Sequence, residues 1–111
     1  MIQALHKFFF VYSFLRKHFK FIEDYGWKFQ WKLKHYVHPS ILFINSTDQI
    51  QIGYNYALGR GSYYIIYWEE GSTLRTRELL VDTDQSKLRG KQKLELAKAE
   101  LRKFLEQYKN L

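Results

Sequence analysis

Lys28, Lys32 and Lys34, with Gln30 between them, fall on alternate positions of one stretch. On an extended strand such positions share a face. The three ammonium groups therefore form a row able to meet phosphate. Arg75 and Arg77 repeat the spacing on a later strand. With nine Tyr and three Trp in the chain, these are the ingredients of single-strand nucleic-acid binding, a basic groove beside stacking rings. The spacing also argues the other way. Trp27, Phe29, Trp31 and Leu33 alternate away from the lysines, towards the core. The ribonucleoprotein signature, the helix-turn-helix and the zinc-finger spacing are all absent. A solvated basic face is the simpler reading, and nucleic-acid binding stands as the alternative function.

The remaining reactive types form no catalytic set. His35 and His38 have the separation of a metal pair, but residues three apart on a strand point to opposite faces. A zinc site there also needs a turn and a further ligand. Glu23-Asp24, Glu69-Glu70 and Asp82-x-Asp84 are sequence neighbours at element ends. Acid–base chemistry needs carboxylates converging on a pocket with separated pKa values. Ser62 follows Gly59-Arg60-Gly61, which lacks the second glycine of a nucleophile elbow and the lysine of a phosphate loop. Asn45-Ser46-Thr47 matches a glycosylation acceptor and reads as a turn. No enzyme activity, cofactor or metal is expected.

The elements that carry these residues follow from periodicity. Leu5, Phe8, Tyr12, Leu15, Phe19 and Ile22 recur at spacings of three and four, predicting a helix from Ile2 to Asp24. Phe9, Phe10, Val11, Phe14 and Phe21 widen its apolar face, so it is expected to touch more than one neighbour. Gly26 is its stop. From Trp27 the period becomes two, giving a strand with one aromatic and one basic face. Ile41–Ile44 and Ile50–Tyr56 are the next strands, joined by Asn45-Ser46-Thr47-Asp48. Ser62–Trp68 is apolar on both faces and is expected to be central. Thr73–Val81 completes the sheet. Short links favour an antiparallel meander. A helix cap is expected among Thr83, Asp84 and Ser86. Gly90 weakens the start of the last helix, which is expected to run on after it. Leu94, Ala97, Leu101, Phe104, Leu105 and Tyr108 form its apolar face.

The chain is thus read as one α+β domain over residues 1–111. A five-stranded antiparallel meander is flanked by N-terminal and C-terminal helices, in the order α-β-β-β-β-β-α. Two helices cover one face of such a sheet. The second face of Ser62–Trp68 is left to a crossing helix or to another chain. Tyr64, Ile66 and Trp68 are the candidate interface residues. Lys28, Lys32, Lys34, Arg75 and Arg77 are the candidate contacts for an anionic partner.

Composition bounds the rest. There are 111 residues, no Cys and one Pro, with 46% hydrophobic and 19% aromatic residues and a net charge of +7. Disulfide scaffolds and Cys-ligated metal sites are excluded. A reducing, cytoplasmic setting is expected. Residues 1–39 hold seven Lys or Arg against two acids, 40–82 three against five, and 83–111 eight against four. Both ends are basic around a slightly acidic middle, which suits an anionic partner. Phe8–Leu15 is too short to span a bilayer, which takes about 20 apolar residues. No cleavage site follows it, and no membrane partner is expected.

Phe19-Lys20-Phe21-Ile22-Glu23-Asp24-Tyr25-Gly26-Trp27 resembles the string F-x-F-[LI]-x-x-x-Y-G-[FW] of small, mostly uncharacterised bacterial α+β proteins. The resemblance continues through Ile44-Asn45-Ser46 and Ile50-Gln51-Ile52-Gly53-Tyr54, and covers residues 19–70. Some of these proteins are thought to be immunity proteins of secreted toxin systems. The resemblance implies a non-catalytic protein that acts by binding another protein. It carries over no catalytic motif. One departure stands out: immunity to a basic nuclease calls for an acidic protein, and this chain is basic. With the second face of Ser62–Trp68 left uncovered, the expected function is protein–protein binding, through self-association or with an immunity- or regulatory-type partner.

Overall fold

Ser62–Trp68 can bury both faces only inside a sheet, and the computed structural model places it there. The structure describes residues 2–30, 40–55, 61–70, 75–83 and 89–109. Helix α1 spans Ile2–His18, and a 3-10 helix follows at Lys20–Tyr25. The strands are β1 Lys28–Gln30, β2 Ser40–Asn45, β3 Asp48–Asn55, β4 Ser62–Glu70 and β5 Arg75–Asp82. Helix α2, Lys91–Lys109, closes the order. The sheet runs β1-β2-β3-β4-β5, antiparallel at every pairing. This is the meander and the α+β class expected from the short links.

Both helices pack on the same face. Val11 and Leu15 of α1, Phe19 and Ile22 after it, and Leu94, Ala97, Leu101 and Leu105 of α2 share one buried cluster with Phe43, Ile50, Ile52, Ile65 and Val81. Each large apolar side chain fully buried in this way contributes about 1.5–3 kcal/mol. Trp27, 2% exposed, closes one end of the cluster with its ring 5.1 Å from that of Tyr108.

The single helix expected from Ile2 to Asp24 is instead two. The break is at Phe19, whose backbone leaves helical values at φ −108 and ψ 13. Three-residue spacing explains it. In a 3-10 helix residues three apart eclipse one another. Phe19 and Ile22 are both fully buried, and Tyr25 packs beside them. Gly26 ends the segment at φ 90, with its N–H bonded to the Glu23 carbonyl. The stop at this glycine is the expected one, because only Gly takes that φ without strain.

Of the cap expected among Thr83, Asp84 and Ser86, Thr83 alone lies among the described residues. Thr83 turns to β4, where its Oγ1 accepts the Tyr63 N–H at 2.8 Å. Asp84 and Ser86 lie outside the described residues. Helix α2 starts directly after Gly90, which has φ 48. Strand β5 carries a bulge: Ile65 faces Val81 and Ile66 faces Leu79, leaving Leu80 as the extra residue. Leu80 and Val81 then both pack towards the helices.

Candidate functional site

Register defines the sheet face that looks away from the helices. Side chains directly opposite one another across antiparallel strands lie on the same face. One row reads Lys28, Ile44, Gln49, Trp68 and Arg77. The next reads Gln30, Leu42, Gln51, Ile66 and Leu79. A third reads Ser40, Gly53, Tyr64 and Asp82. The candidate interface thus shares one face with the cationic positions Lys28 and Arg77. Alternation within the first strand had separated the lysines from that strand's own rings. The rings of β4 were the ones to consider.

Tyr64 and Trp68 lie close to the sheet. A Cβ at Gly53 would overlap the end of the Tyr64 ring, so the glycine is what admits it. Trp68 Nε1 donates to Gln51 Oε1 at 3.2 Å, and Gln51 Nε2 donates to Ser40 Oγ at 3.3 Å. This relay ties β4 to β3 and β3 to β2. It satisfies two buried polar side chains, as burial requires. The surface that results is shallow, with rings held down by hydrogen bonds and by the missing glycine side chain.

The expected interface trio does not behave as one unit. Ile66 is 5% exposed, so it supports the surface and offers little of it. Tyr64 and Trp68 are half-buried. Leu79, opposite Ile66, is 53% exposed and is the apolar contact that periodicity missed. Strict alternation would have put Leu79 and Val81 on the same face. The bulge at Leu80 separates them. Three successive apolar residues, Leu79-Leu80-Val81, were the available signal.

Of the cationic candidates, Lys28 is exposed on β1. Arg77 stands at the register position opposite Trp68, and Arg75 opposite Glu70. Lys32 and Lys34 lie outside the described residues, as do His35 and His38. Ser62 is buried at the start of β4. The Asn45–Asp48 turn forms as expected, with Asn45 paired to Asp48. Among the described residues no three of His, Cys, Asp and Glu gather as a metal would need.

The helix side holds a different cluster. Asp48 Oδ2 accepts from Tyr67 at 3.1 Å and from Tyr108 at 2.6 Å. Burial, then the Asp48 hydrogen bond, raises both phenols, Tyr108 to about 12. At neutral pH both stay protonated and donate to the carboxylate. Such a cluster fastens elements together. Sequence reasoning had given Asp48 only a turn role.

Compared with protein-family models, curated proteins and solved structures, the chain finds no match. No helix among the described residues is long and apolar enough to cross a membrane.

Proposed function

We propose that the protein is a non-catalytic binding protein, and that the sheet face opposite the helices takes a protein partner. The observation that carries this reading is Leu79, more than half exposed and in register with buried Ile66 beside Tyr64 and Trp68. Protein interfaces favour an apolar, aromatic centre inside a polar rim. Here Trp68, Tyr64 and Leu79 form the centre, with Gln30, Gln49 and Lys28 around them. The partner is an acidic protein surface. The row through Trp68 ends in Lys28 on one side and the Arg77 position on the other. Self-pairing along this row would set like charges together. The likeness of residues 19–70 to immunity-type proteins agrees with a protein partner, one other than a basic nuclease.

The test is capture from the native host by the full chain, compared with Leu79→Glu and Trp68→Ala. A partner with an acidic surface that is retained by the parent chain and lost by both variants supports the reading. Retention by both variants refutes it. Light scattering that finds a dimer broken by Leu79→Glu replaces the acidic partner with a second copy.

A second reading has one specific observation behind it. Lys28 shares a register row with Trp68, which brings a cation and a stacking ring to one face. Nucleic-acid affinity would then fall steeply with salt through counterion release. It would also weaken on Lys28→Glu. An apolar interface responds weakly to salt.

A further inference from the structure

The exposed phenylalanine of α1 needs a separate account. Phe10 is 71% exposed. Its ring stacks on that of Phe14 at 6.5 Å and 21°, and Phe14 meets His18 at 4.3 Å. The four-residue spacing makes this an aromatic ladder along one flank of the helix. The core side of α1 runs through Val11 and Leu15, and Phe14 packs partly against it, so the ladder is rooted in the core at Phe14 and leaves it at Phe10. Breadth of the apolar face had suggested a second neighbour for this helix. Among the described residues none covers Phe10.

Charge says what would. Residues 1–22 contain Lys7, Arg16, Lys17 and Lys20, and no Asp or Glu precedes Glu23. Arg16, Lys17 and Lys20 are exposed, and Arg16, Lys17 and His18 make the last turn of α1 basic. Phe8, Phe9 and Phe10 are consecutive.

We propose that α1 seats the protein on an anionic lipid surface, with the Phe10–Phe14 ladder in the interface and Lys17 and Lys20 at the headgroups. A helix that lies in the interface presents rings to the acyl boundary and keeps lysines beside them, their stems apolar and their ammonium groups in water. A nucleic acid answers the charge but leaves the ladder without a role. Seventeen residues reach about 25 Å, which suits a helix lying flat rather than crossing. The expectation of no membrane partner rested on span length, and lying on a surface does not need a span. The site is separate from the sheet face, so either reading can fail alone.

The experiment is co-sedimentation of the full chain with sucrose-loaded vesicles. One set contains phosphatidylglycerol and the other is pure phosphatidylcholine. Binding to the anionic set is expected, weakened about five-fold for each of Lys17→Glu and Lys20→Glu and about ten-fold by Phe10→Ser. Phe10 is exposed, so Phe10→Ser should keep the parent melting temperature. In a second variant, Phe10→Trp, the indole emission should shift to the blue on anionic vesicles. Equal sedimentation with both lipids overturns the proposal, as does failure to bind the anionic set. Binding indifferent to Phe10→Ser, or an oligonucleotide held through Lys17 and Lys20 without regard to Phe10, overturns it as well.

Discussion

Tyr108 and Asp48 are 60 residues apart in sequence, yet the phenol of one donates to the carboxylate of the other at 2.6 Å. The bond fastens the last turns of α2 to the first residue of β3. Tyr67 donates to the same oxygen from β4. Hydrogen bonds to charged acceptors are worth about 1.5–3 kcal/mol, so Tyr108→Phe should lower stability by about 1.5 kcal/mol. Alkali should do the same to the parent. Burial first, then Asp48, raises the Tyr108 phenol to about 12. The folded state therefore holds its proton longer than the unfolded chain. The contribution is whole below about pH 10 and is lost as pH rises towards 12. Urea melts at neutral and alkaline pH check both points. A Tyr108→Phe chain with the parent's alkaline slope would remove the phenol from the account.

Thr83 makes the matching tie at the other end of β4. Its Oγ1 accepts the Tyr63 N–H at 2.8 Å and its hydroxyl reaches the Tyr63 carbonyl at 3.4 Å, with the threonine fully buried. Thr83→Val keeps the shape and orphans a buried backbone donor. The cost of such an orphan is about 1–3 kcal/mol. Thr83→Ser, which keeps the oxygen, should recover most of it. Denaturant midpoints of the three chains decide the matter.

The sheet was legible because its pattern is local. Ile50, Ile52 and Tyr54 alternate, and the strand they define turns those residues to the core beneath the helices. Ser62–Trp68 read correctly as an internal strand, since no edge strand can bury Ile65 and Ile66 together. Gly26 and Gly90 marked element ends through the φ values that glycine permits. What failed was whatever depended on partners far along the chain. Thr83 reads from its neighbours as a helix cap, and the tie of its hydroxyl to Tyr63 of β4 is not in that local pattern. Leu79 looks like a core residue until the Leu80 bulge shifts it. The face shared by Lys28 and Trp68 needs three strand registers, which the period of any one strand does not contain.

His18 gives a pH signature at the junction of α1 and α2. Its imidazole is pushed below its usual value by burial first, then by Lys98 of α2 and Lys17 of α1, with Glu95 of α2 opposing. The folded state thus resists protonation more than the unfolded chain. Stability from this group is full above about pH 6.5 and is lost as pH falls below it. Denaturant melts between about pH 7.5 and 5.5 should therefore decline less steeply for His18→Gln than for the parent. Identical slopes would assign the decline to other histidines.

Gly53→Ala joins stability to the proposed contact face. The added methyl would overlap the end of the Tyr64 ring, which must lift from β3 to make room. Overpacking of this kind costs about 1–3 kcal/mol. In Gly53→Ala/Tyr64→Ala the obstacle is gone, so the two costs should not add. Binding separates the variants differently. If the partner reads a flat face, Gly53→Ala weakens capture by tilting the ring. The double variant weakens it too, by removing the ring, although its stability partly recovers. Melting temperatures that follow the overlap while capture stays at the parent level in both chains would mean that Tyr64 serves the sheet alone, and the contact surface would have to be redrawn around Leu79 and Trp68.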